Sequence, residues 1–262
     1  EAGIAAVIEE IVAGWTLDIL GLPSTASVGF VTGAQMANVT CLAAARHHVL
    51  ATHGWDVAGR GLNGAPAIRV VAGDETHVTL LAALRLLGMG APTLVASDDQ
   101  GRLDPAALAD ALAGGGGPLI VCAQAGNVNT GAIDPLDAIA DLCGAPDAWL
   151  HVDGAFGLWA AASPTHRHLT AGAERADSWA TDGHKWLNVP YDSGIAVVAH
   201  PDSHRAAMAL TAAYLTADDT SRNGSDWAPE ASRRARAIAL WAAYRSLGRN
   251  GIAELVAAEP EL

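Results

Sequence analysis

The chain has 262 residues, of which 51% are hydrophobic and 16% are charged, and its formal net charge is −13. This composition provides enough apolar side chains for a sizeable core and excludes a wholly disordered chain. The negative charge and the lack of a basic stripe argue against a protein that binds DNA or RNA.

The three cysteines, Cys41, Cys122 and Cys143, form no C-x-x-C pair, so neither a zinc site nor a disulfide framework is predicted. We therefore expect a reduced, cytoplasmic setting. No signal-peptide pattern is visible, and no apolar run has the length of a membrane span. The sequence begins at Glu1 and ends at Leu262 within helical patterns, which predicts a fragment of a longer protein.

Along the chain, segments with the helical spacing of apolar residues alternate with short apolar segments of strand length. Thr76 is the predicted cap of the third helix, and the last helix is expected to break near Gly248 and Gly251. The alternation predicts an α/β fold with a mostly parallel seven-stranded sheet flanked by helices. We predict helices at 4–21, 34–54, 76–88, 104–115, 134–144, 200–210 and 231–258, and strands at 26–33, 67–73, 91–97, 117–126, 148–154, 176–183 and 194–200.

The pattern changes after residue 200, where the strands end and a polar, turn-rich loop follows at 216–230. We predict a large ligand-binding domain at 1–200. Residues 201–262 are expected to supply a connecting loop, a long helix and the start of a smaller C-terminal domain.

Residues that directly follow strands are the first candidates for a site, because ligands bind beyond the carboxyl ends of parallel strands. Ala34 and Gln35 open a helix after Gly33. Their backbone N–H groups are placed to bind a phosphate, although the same pattern is typical of an ordinary strand-to-helix turn. Asp153 ends an apolar strand, where it would bind a metal with His151, hold a cationic ring nitrogen or cap a turn.

Two further residues, His77 and Lys185, carry side chains suited to a planar ligand and to covalent chemistry. His77 starts a helix, where it would act either as a surface cap or as a ring that lies on a flat ligand. Lys185 lies between two apolar strands, and we expect the fold to hold it inside. A protected pocket makes a lysine amine nucleophilic, whereas a lysine that reaches solvent is the alternative. A phosphate-binding helix start, Asp153, and a lysine 32 residues later together describe a pyridoxal phosphate site.

Several motifs occur in the order found in one enzyme family. Ser178 and Trp179, followed after five residues by Lys185 and Trp186, resemble the lysine-attachment signature of the group II pyridoxal-phosphate decarboxylases. That family includes aromatic amino acid, histidine, tyrosine and glutamate decarboxylases. The resemblance implies the fold of aspartate aminotransferase, fold type I, and a pyridoxal 5'-phosphate cofactor. Further similar motifs are HVDGAFG, GAQMANVTCLAAAR, AQAGNVNTGAIDPL and APEASRRARAIALWAAYRSLGRNG.

The resemblance assigns roles to nine positions and no metal ligand. Lys185 matches the lysine that forms an aldimine with the cofactor, and Asp153 matches the aspartate that faces the pyridine nitrogen. His77 matches the histidine stacked on the ring, and Ala155 the small residue beneath it. The phosphate contacts correspond to Ala34, Gln35 and His184, and the loop near the ring substituents contains Asn127 and Thr130.

The function implied by the resemblance is decarboxylation of an L-amino acid to its amine and CO2, through a Lys185 aldimine and a quinonoid intermediate. A homodimer with the active site near the subunit interface is expected, without a nucleic acid or membrane partner. The loop at 216–230 lacks the tyrosine with which animal members protonate the product carbon. An aldehyde synthase, an aldol-type lyase, a transaminase and a truncated cofactor-binding protein without turnover therefore remain alternatives.

Overall fold

The computed structural model describes residues 3–144, 148–210 and 222–258. Seven strands occur in these residues, namely β1 (Ser27–Val31), β2 (Arg69–Gly73), β3 (Thr93–Val95), β4 (Leu119–Gln124), β5 (Ala148–Asp153), β6 (Ser178–Asp182) and β7 (Gly194–Val198). The helices are α1 (Gly3–Leu20), α2 (Ala34–Ala51), α3 (Val57–Arg60), α4 (Val78–Leu86), α5 (Pro105–Leu112), α6 (Leu136–Leu142), α7 (Pro201–Met208) and α8 (Ala237–Ala257).

All seven strands form one sheet in the order β1-β7-β6-β5-β4-β2-β3. Strands β3, β2, β4, β5 and β6 are parallel, and β7 lies antiparallel between β6 and β1. The predicted seven-stranded, mostly parallel α/β fold is confirmed. Because β5 and β6 are parallel neighbours, Asp153 and Asp182 at their carboxyl ends lie at the same edge of the sheet.

The core consists of two layers, one on each face of the sheet. Alternate residues of β4 enter different layers, as the pleat of a strand requires. Ile120 and Cys122 belong to the layer formed with α2 and α4. Val121 and Ala123 belong to the layer formed with α1, α5, α6 and α8. Both faces are therefore covered, which explains why the strands read as continuous apolar runs.

Several features differ from the sequence-based predictions, among them the unpredicted short helix α3. The cap of α4 is His77, not Thr76, because the His77 backbone is extended (φ −66°, ψ 141°) and its ring accepts a backbone N–H of the first turn. Helix α8 begins at Ala237 rather than at 231, although its expected break is confirmed at Gly248, where φ is 64°. Residues 157–175, for which no element was predicted, form three short 3-10 helices.

Helices α1 and α8 pack against each other. The hydroxyl of Tyr244 lies 3.1 Å from Oγ1 of Thr16. The buried carboxylate of Glu9 pairs with Arg233 at 2.8 Å and with Arg222 at 3.6 Å, which ties α1 to the segment before α8. The division into two domains near residue 200 stays a prediction. Among the described residues, we find no helix that is both long and apolar enough to cross a membrane.

Candidate active site

Lys185 lies in the turn that connects β6 to β7, and its amine faces open space rather than the core. Its side chain is 40% exposed, and Nζ lies 3.2 Å from Oδ2 of Asp182. The expectation that the fold would hold this lysine inside is therefore wrong. The flanking strands are buried, but the turn projects the side chain beyond the end of the sheet. Lys185 is also the only lysine among the 262 residues.

Asp153 supplies a buried carboxylate at the end of β5. Its Oδ2 accepts a hydrogen bond from Nδ2 of Asn38 (2.9 Å), and its Oδ1 accepts one from the backbone N–H of Ala155 (3.1 Å). Burial raises the pKa of Asp153, while these two hydrogen bonds and the electrostatic effects of the nearby Lys185 and His77 side chains act in the opposite direction. A buried carboxylate in this position is suited to hold a cationic group.

His77 is held at the start of α4 by three hydrogen-bonding contacts. Its backbone N–H donates to Oε1 of Gln124 (3.1 Å), which lies at the end of β4. Its Nδ1 accepts the backbone N–H of Thr79 (3.3 Å) and lies 2.7 Å from the Thr79 hydroxyl. In the neutral ring Nδ1 is then an acceptor, so Nε2 carries the proton. The cap and the planar-ligand interpretations of this histidine are therefore compatible.

A cavity of about 400 Å³ brings these groups together, which is within the usual range for small-molecule sites. Six of the nine predicted site residues line it, and the walls are completed by the loop at 126–131 and by Phe156. The predicted residues in the lining are His77, Asn127, Thr130, Asp153, Ala155 and Lys185.

Asn127 and Thr130 mainly hold the shape of the loop at 126–131. Oδ1 of Asn127 accepts the backbone N–H groups of Asn129 (2.8 Å) and Thr130 (3.3 Å). The Thr130 hydroxyl donates to the carbonyl of Gln100 at 2.7 Å. These bonds fix the loop that forms one wall of the cavity.

An aromatic pair lies beside the cavity, and one of its members, Phe156, lines it. The rings of Phe156 and Trp186 are stacked, with centroids 4.7 Å apart and planes 5° from parallel. Trp186 follows Lys185 directly, so this stack fixes the turn that presents the amine. Phe156 is 37% exposed and Val128 is 72% exposed, which gives the cavity an apolar entrance.

The three predicted phosphate contacts, Ala34, Gln35 and His184, lie outside the cavity lining, at the start of α2. In the structure the start of α2 binds a carboxylate of the chain itself. The backbone N–H of Ala34 donates to Oδ1 of Asp182 (2.6 Å). Nε2 of His184 lies 3.5 Å from Oδ2 of the same carboxylate, and Nδ1 accepts the backbone N–H of Ser193 (3.1 Å). Asp182 thus joins the helix start to Lys185. The phosphate roles of Ala34, Gln35 and His184 stay predictions.

The approach of β7 to α2 depends on two glycines. A Cβ atom on Gly194 would lie 2.4 Å from Cα of Gly33, closer than any side chain allows. Gly33 in turn lies against the His184 ring, since a Cβ there would be 3.2 Å from Cε1. Backbone contact therefore sets the distance between the helix start and the turn that carries Lys185.

The metal interpretation of His151 and Asp153 is not supported. Both ring nitrogens of His151 are engaged, Nδ1 with the Ser178 hydroxyl and Nε2 with Oδ1 of Asn38, each at 2.9 Å. No cluster of three or more potential metal ligands occurs in the part of the chain that the structure describes.

Asp182, Asn38, Gln124 and Phe156 were not predicted as site residues. Phe156 belongs to the HVDGAFG motif and follows Ala155, so its place at the rim had a local signal. Asn38 and Gln124 had none, because their importance depends on side chains of other elements. For Asp182 the sequence shows only that an acidic residue lies three positions before Lys185.

The family of the chain follows from comparison with known proteins. The model of the pyridoxal-dependent decarboxylase conserved domain matches residues 2–262. The chain belongs to this family. The predicted family is confirmed, and the cofactor of the family is pyridoxal 5'-phosphate.

Three relatives show how far the similarity extends. The aromatic-L-amino-acid decarboxylase of Bacillus atrophaeus is 32% identical over 251 residues, which cover 92% of this chain and 50% of that protein. The 4-hydroxyphenylacetaldehyde synthase of Rhodiola rosea is 28% identical and matches 95% of this chain and 52% of that protein. The crystal structure of Oryza sativa TDC with PLP and tryptamine matches with a TM-score of 0.86 at 28% identity, over 97% of this chain and 55% of that one.

These comparisons confirm the fold-type prediction. They also show that the chain spans about half the length of the relatives it matches.

The cavity residues fit pyridoxal phosphate. The cofactor needs an amine for its aldehyde, a carboxylate for its ring nitrogen and a small residue where the ring lies. The cavity lining contains an amine, a carboxylate and a small residue, in Lys185, Asp153 and Ala155. Asp182 is the feature that the fit does not require.

Proposed function

We propose that the whole protein is a pyridoxal-phosphate-dependent decarboxylase that converts an L-amino acid to the corresponding amine and CO2. The observation that carries this proposal is the single cavity of about 400 Å³ shared by Lys185, Asp153 and His77. Since the chain spans about half the length of these relatives, the activity is proposed for the full protein.

Each residue has one task in this proposal. When bound, the cofactor supplies an electron sink for the bond that breaks at the substrate Cα. Lys185 would hold the cofactor covalently through its side-chain amine. Asp153 would keep a proton on the ring nitrogen, and His77 would contact the ring face. The phosphate would be bound at the start of α2 by the predicted contacts Ala34, Gln35 and His184.

Asp182 is proposed to act as the counter-ion of Lys185 and as an occupant of the helix start. Its carboxylate is 3.2 Å from the lysine amine and 2.6 Å from the backbone nitrogen of Ala34. Burial raises the pKa of Asp182, while Lys185, His184 and the Ala34 N–H act in the opposite direction. A phosphate that binds at the start of α2 would therefore compete with the Asp182 carboxylate for the Ala34 N–H.

Oxygen-dependent aldehyde formation is a second candidate function. It is favoured by the loop at 216–230, which contains no tyrosine, and by the similarity to a 4-hydroxyphenylacetaldehyde synthase. Residues 216–221 of this loop lie outside the described residues, so the support comes from the sequence alone.

A homodimer is also proposed. The cavity entrance exposes Val128 and Phe156, and exposed apolar rims of this kind are covered at subunit interfaces. A partner subunit placed there would narrow the entrance and exclude water from the amine. Sedimentation of the full-length protein tests this proposal, and a monomer that is fully active would contradict it.

The cofactor assignment is tested by borohydride reduction of the chain after incubation with pyridoxal phosphate. Because Lys185 is the sole lysine, peptide mass spectrometry should place one reduced cofactor on its side chain. Lys185→Ala should give no side-chain adduct. If the variant yields the same adduct in the same amount, the assignment of Lys185 is wrong.

The reaction is tested with full-length protein and a panel of L-amino acids. Amine and CO2 in equal amounts, without oxygen uptake, support decarboxylation. An aldehyde formed with consumption of O2 supports the second candidate and contradicts the first. A keto acid contradicts both.

A further inference from the structure

A continuous line of hydrogen bonds runs on the α2 side of the sheet, from Trp149 near the start of β5 to the carboxylate of Asp153 at its end. Nε1 of Trp149 donates to the Ser178 hydroxyl at 2.8 Å, and this hydroxyl lies 2.9 Å from Nδ1 of His151. Nε2 of His151 is 2.9 Å from Oδ1 of Asn38, whose Nδ2 donates to Oδ2 of Asp153 at 2.9 Å. All five residues are buried.

Both ends of this line fix its direction. The indole N–H of Trp149 can only donate, and an ionised Asp153 can only accept. Asn38 must then turn its NH2 group toward the carboxylate and its carbonyl toward His151. The carbonyl needs a donor, so Nε2 of His151 carries a proton. Nδ1 remains an acceptor for the Ser178 hydroxyl, which in turn accepts the indole N–H.

The histidine in the middle holds one proton, not two. Complete burial lowers the pKa of His151 to about 3, although an interaction with the backbone of Ser178 acts in the opposite direction, so the ring is neutral at physiological pH. If the ring carried two protons, Nδ1 could no longer accept the hydrogen bond from the Ser178 hydroxyl. Each donor in the line therefore has one acceptor, and the reversed order would place a carbonyl of Asn38 against the carboxylate of Asp153.

We propose that Asn38, His151, Ser178 and Trp149 are positioning residues that orient Asp153 and keep it ionised for the cofactor ring nitrogen. None of the four is in the cavity lining, whereas Asp153 is. The inference rests on the proposed function for its ligand. It goes further by assigning roles to four residues behind the site and one tautomer to His151.

The line offsets the effect of burial on Asp153. Burial raises the pKa of this carboxyl group, and the hydrogen bond from Asn38 lowers it. An amide that is free to rotate would present its carbonyl to the carboxylate part of the time. With His151 locked by Ser178, the Asn38 amide has one orientation, and the carboxylate keeps its donor.

The first test concerns the chain without cofactor. With 15N-labelled histidine, NMR should show His151 as a neutral ring protonated at Nε2, with slow exchange of that proton. A ring protonated at Nδ1, or a charged ring at neutral pH, would overturn the proposal. This measurement does not depend on the cofactor assignment.

The second test uses three variants and two ligands. Ser178→Ala removes the donor to His151, and Asn38→Leu removes the donor to Asp153. Thr181→Val is the matched control, because Thr181 is buried on the same strand as Ser178 and its hydroxyl has no hydrogen-bond partner. The ligands are pyridoxal phosphate and an analogue in which CH replaces the ring nitrogen. Circular dichroism checks that each variant is folded.

The readout is the ratio of the two dissociation constants. The parent chain should prefer pyridoxal phosphate, because only this ligand has a ring nitrogen for Asp153. Ser178→Ala should reduce the preference about three- to tenfold, as expected for one hydrogen bond. Asn38→Leu should reduce it further, and Thr181→Val should leave it unchanged. If Asn38→Leu does not fold, Ser178→Ala is sufficient.

The outcomes separate this inference from the proposed function. A preference that survives unchanged in Ser178→Ala overturns the positioning role. Equal weakening of both ligands would show that the variant only loosens the fold, which also overturns it. A parent chain without any preference contradicts the proposed role of Asp153, and the histidine NMR then still decides whether the line of hydrogen bonds exists.

Discussion

Asp134 links the acid stability of the chain to the geometry of the site. Its two carboxylate oxygens accept the backbone N–H groups of Leu103 (2.8 Å) and Gln124 (2.7 Å). Gln124 in turn accepts the backbone N–H of His77. Burial raises the pKa of Asp134 from its ordinary value of 3.8 to about 6, although both hydrogen bonds act in the opposite direction.

The sign of the pH dependence follows from this raised pKa. The folded chain binds the Asp134 proton more tightly than the unfolded chain does. Stability from this group is therefore complete below pH 3.8 and is lost as the pH rises through about 6. The interval between the two values corresponds to about 3 kcal/mol, of which about 2 kcal/mol falls between pH 4.5 and 7.5.

The assay compares the parent chain with Asp134→Asn by urea unfolding at several pH values between about 4.5 and 7.5. The readout is the change with pH of the difference between the two unfolding free energies, because all other titrating groups cancel in it. The parent should lose about 2 kcal/mol relative to Asp134→Asn across this range. Asp110→Asn, on the exposed side of α5, is the control and should show no such change. A difference that is constant with pH would refute the reasoning.

Three further outcomes are expected. Glu9→Gln should lower the free energy of unfolding by about 3 kcal/mol, because it leaves two partly buried arginines without their buried carboxylate partner, whereas Glu10→Gln on the exposed face should change it little. Equal effects in urea unfolding would contradict this. Gly194→Ala should prevent correct folding through its clash, while Gly14→Ala, in a helix with open space around it, should stabilise by about 0.5–1 kcal/mol, both read by thermal unfolding. Asp182→Asn should tighten pyridoxal phosphate binding severalfold in calorimetry, because a carboxylate no longer competes at the start of α2, and an unchanged dissociation constant would count against that competition.

The sheet and the main site residues could be predicted because their signals are local. Continuous apolar strands between helices specify a parallel sheet, and parallel strands bring their carboxyl ends to one edge. Asp153, His77 and Lys185 each follow a strand, so the sequence order alone places them near one another. In the structure all three line one cavity.

The remaining features depend on contacts between distant segments. Asn38 reaches Asp153 across 115 residues of sequence, and nothing near either residue reveals this bond. The exposure of Lys185 depends on the shape of a turn rather than on the apolar strands beside it. Asp182 satisfies the Ala34 N–H because the two strands and α2 meet in space, which a one-dimensional pattern does not record.

The solitary lysine gives the chain a natural chemical handle. Reagents that modify lysine side chains can react at Lys185 and at no other side-chain amine in these 262 residues. Reductive methylation would therefore introduce one side-chain NMR probe, located at the cavity. For the same reason, coupling the protein to a surface through its lysines would block the cavity, so attachment through another functional group is required for binding studies.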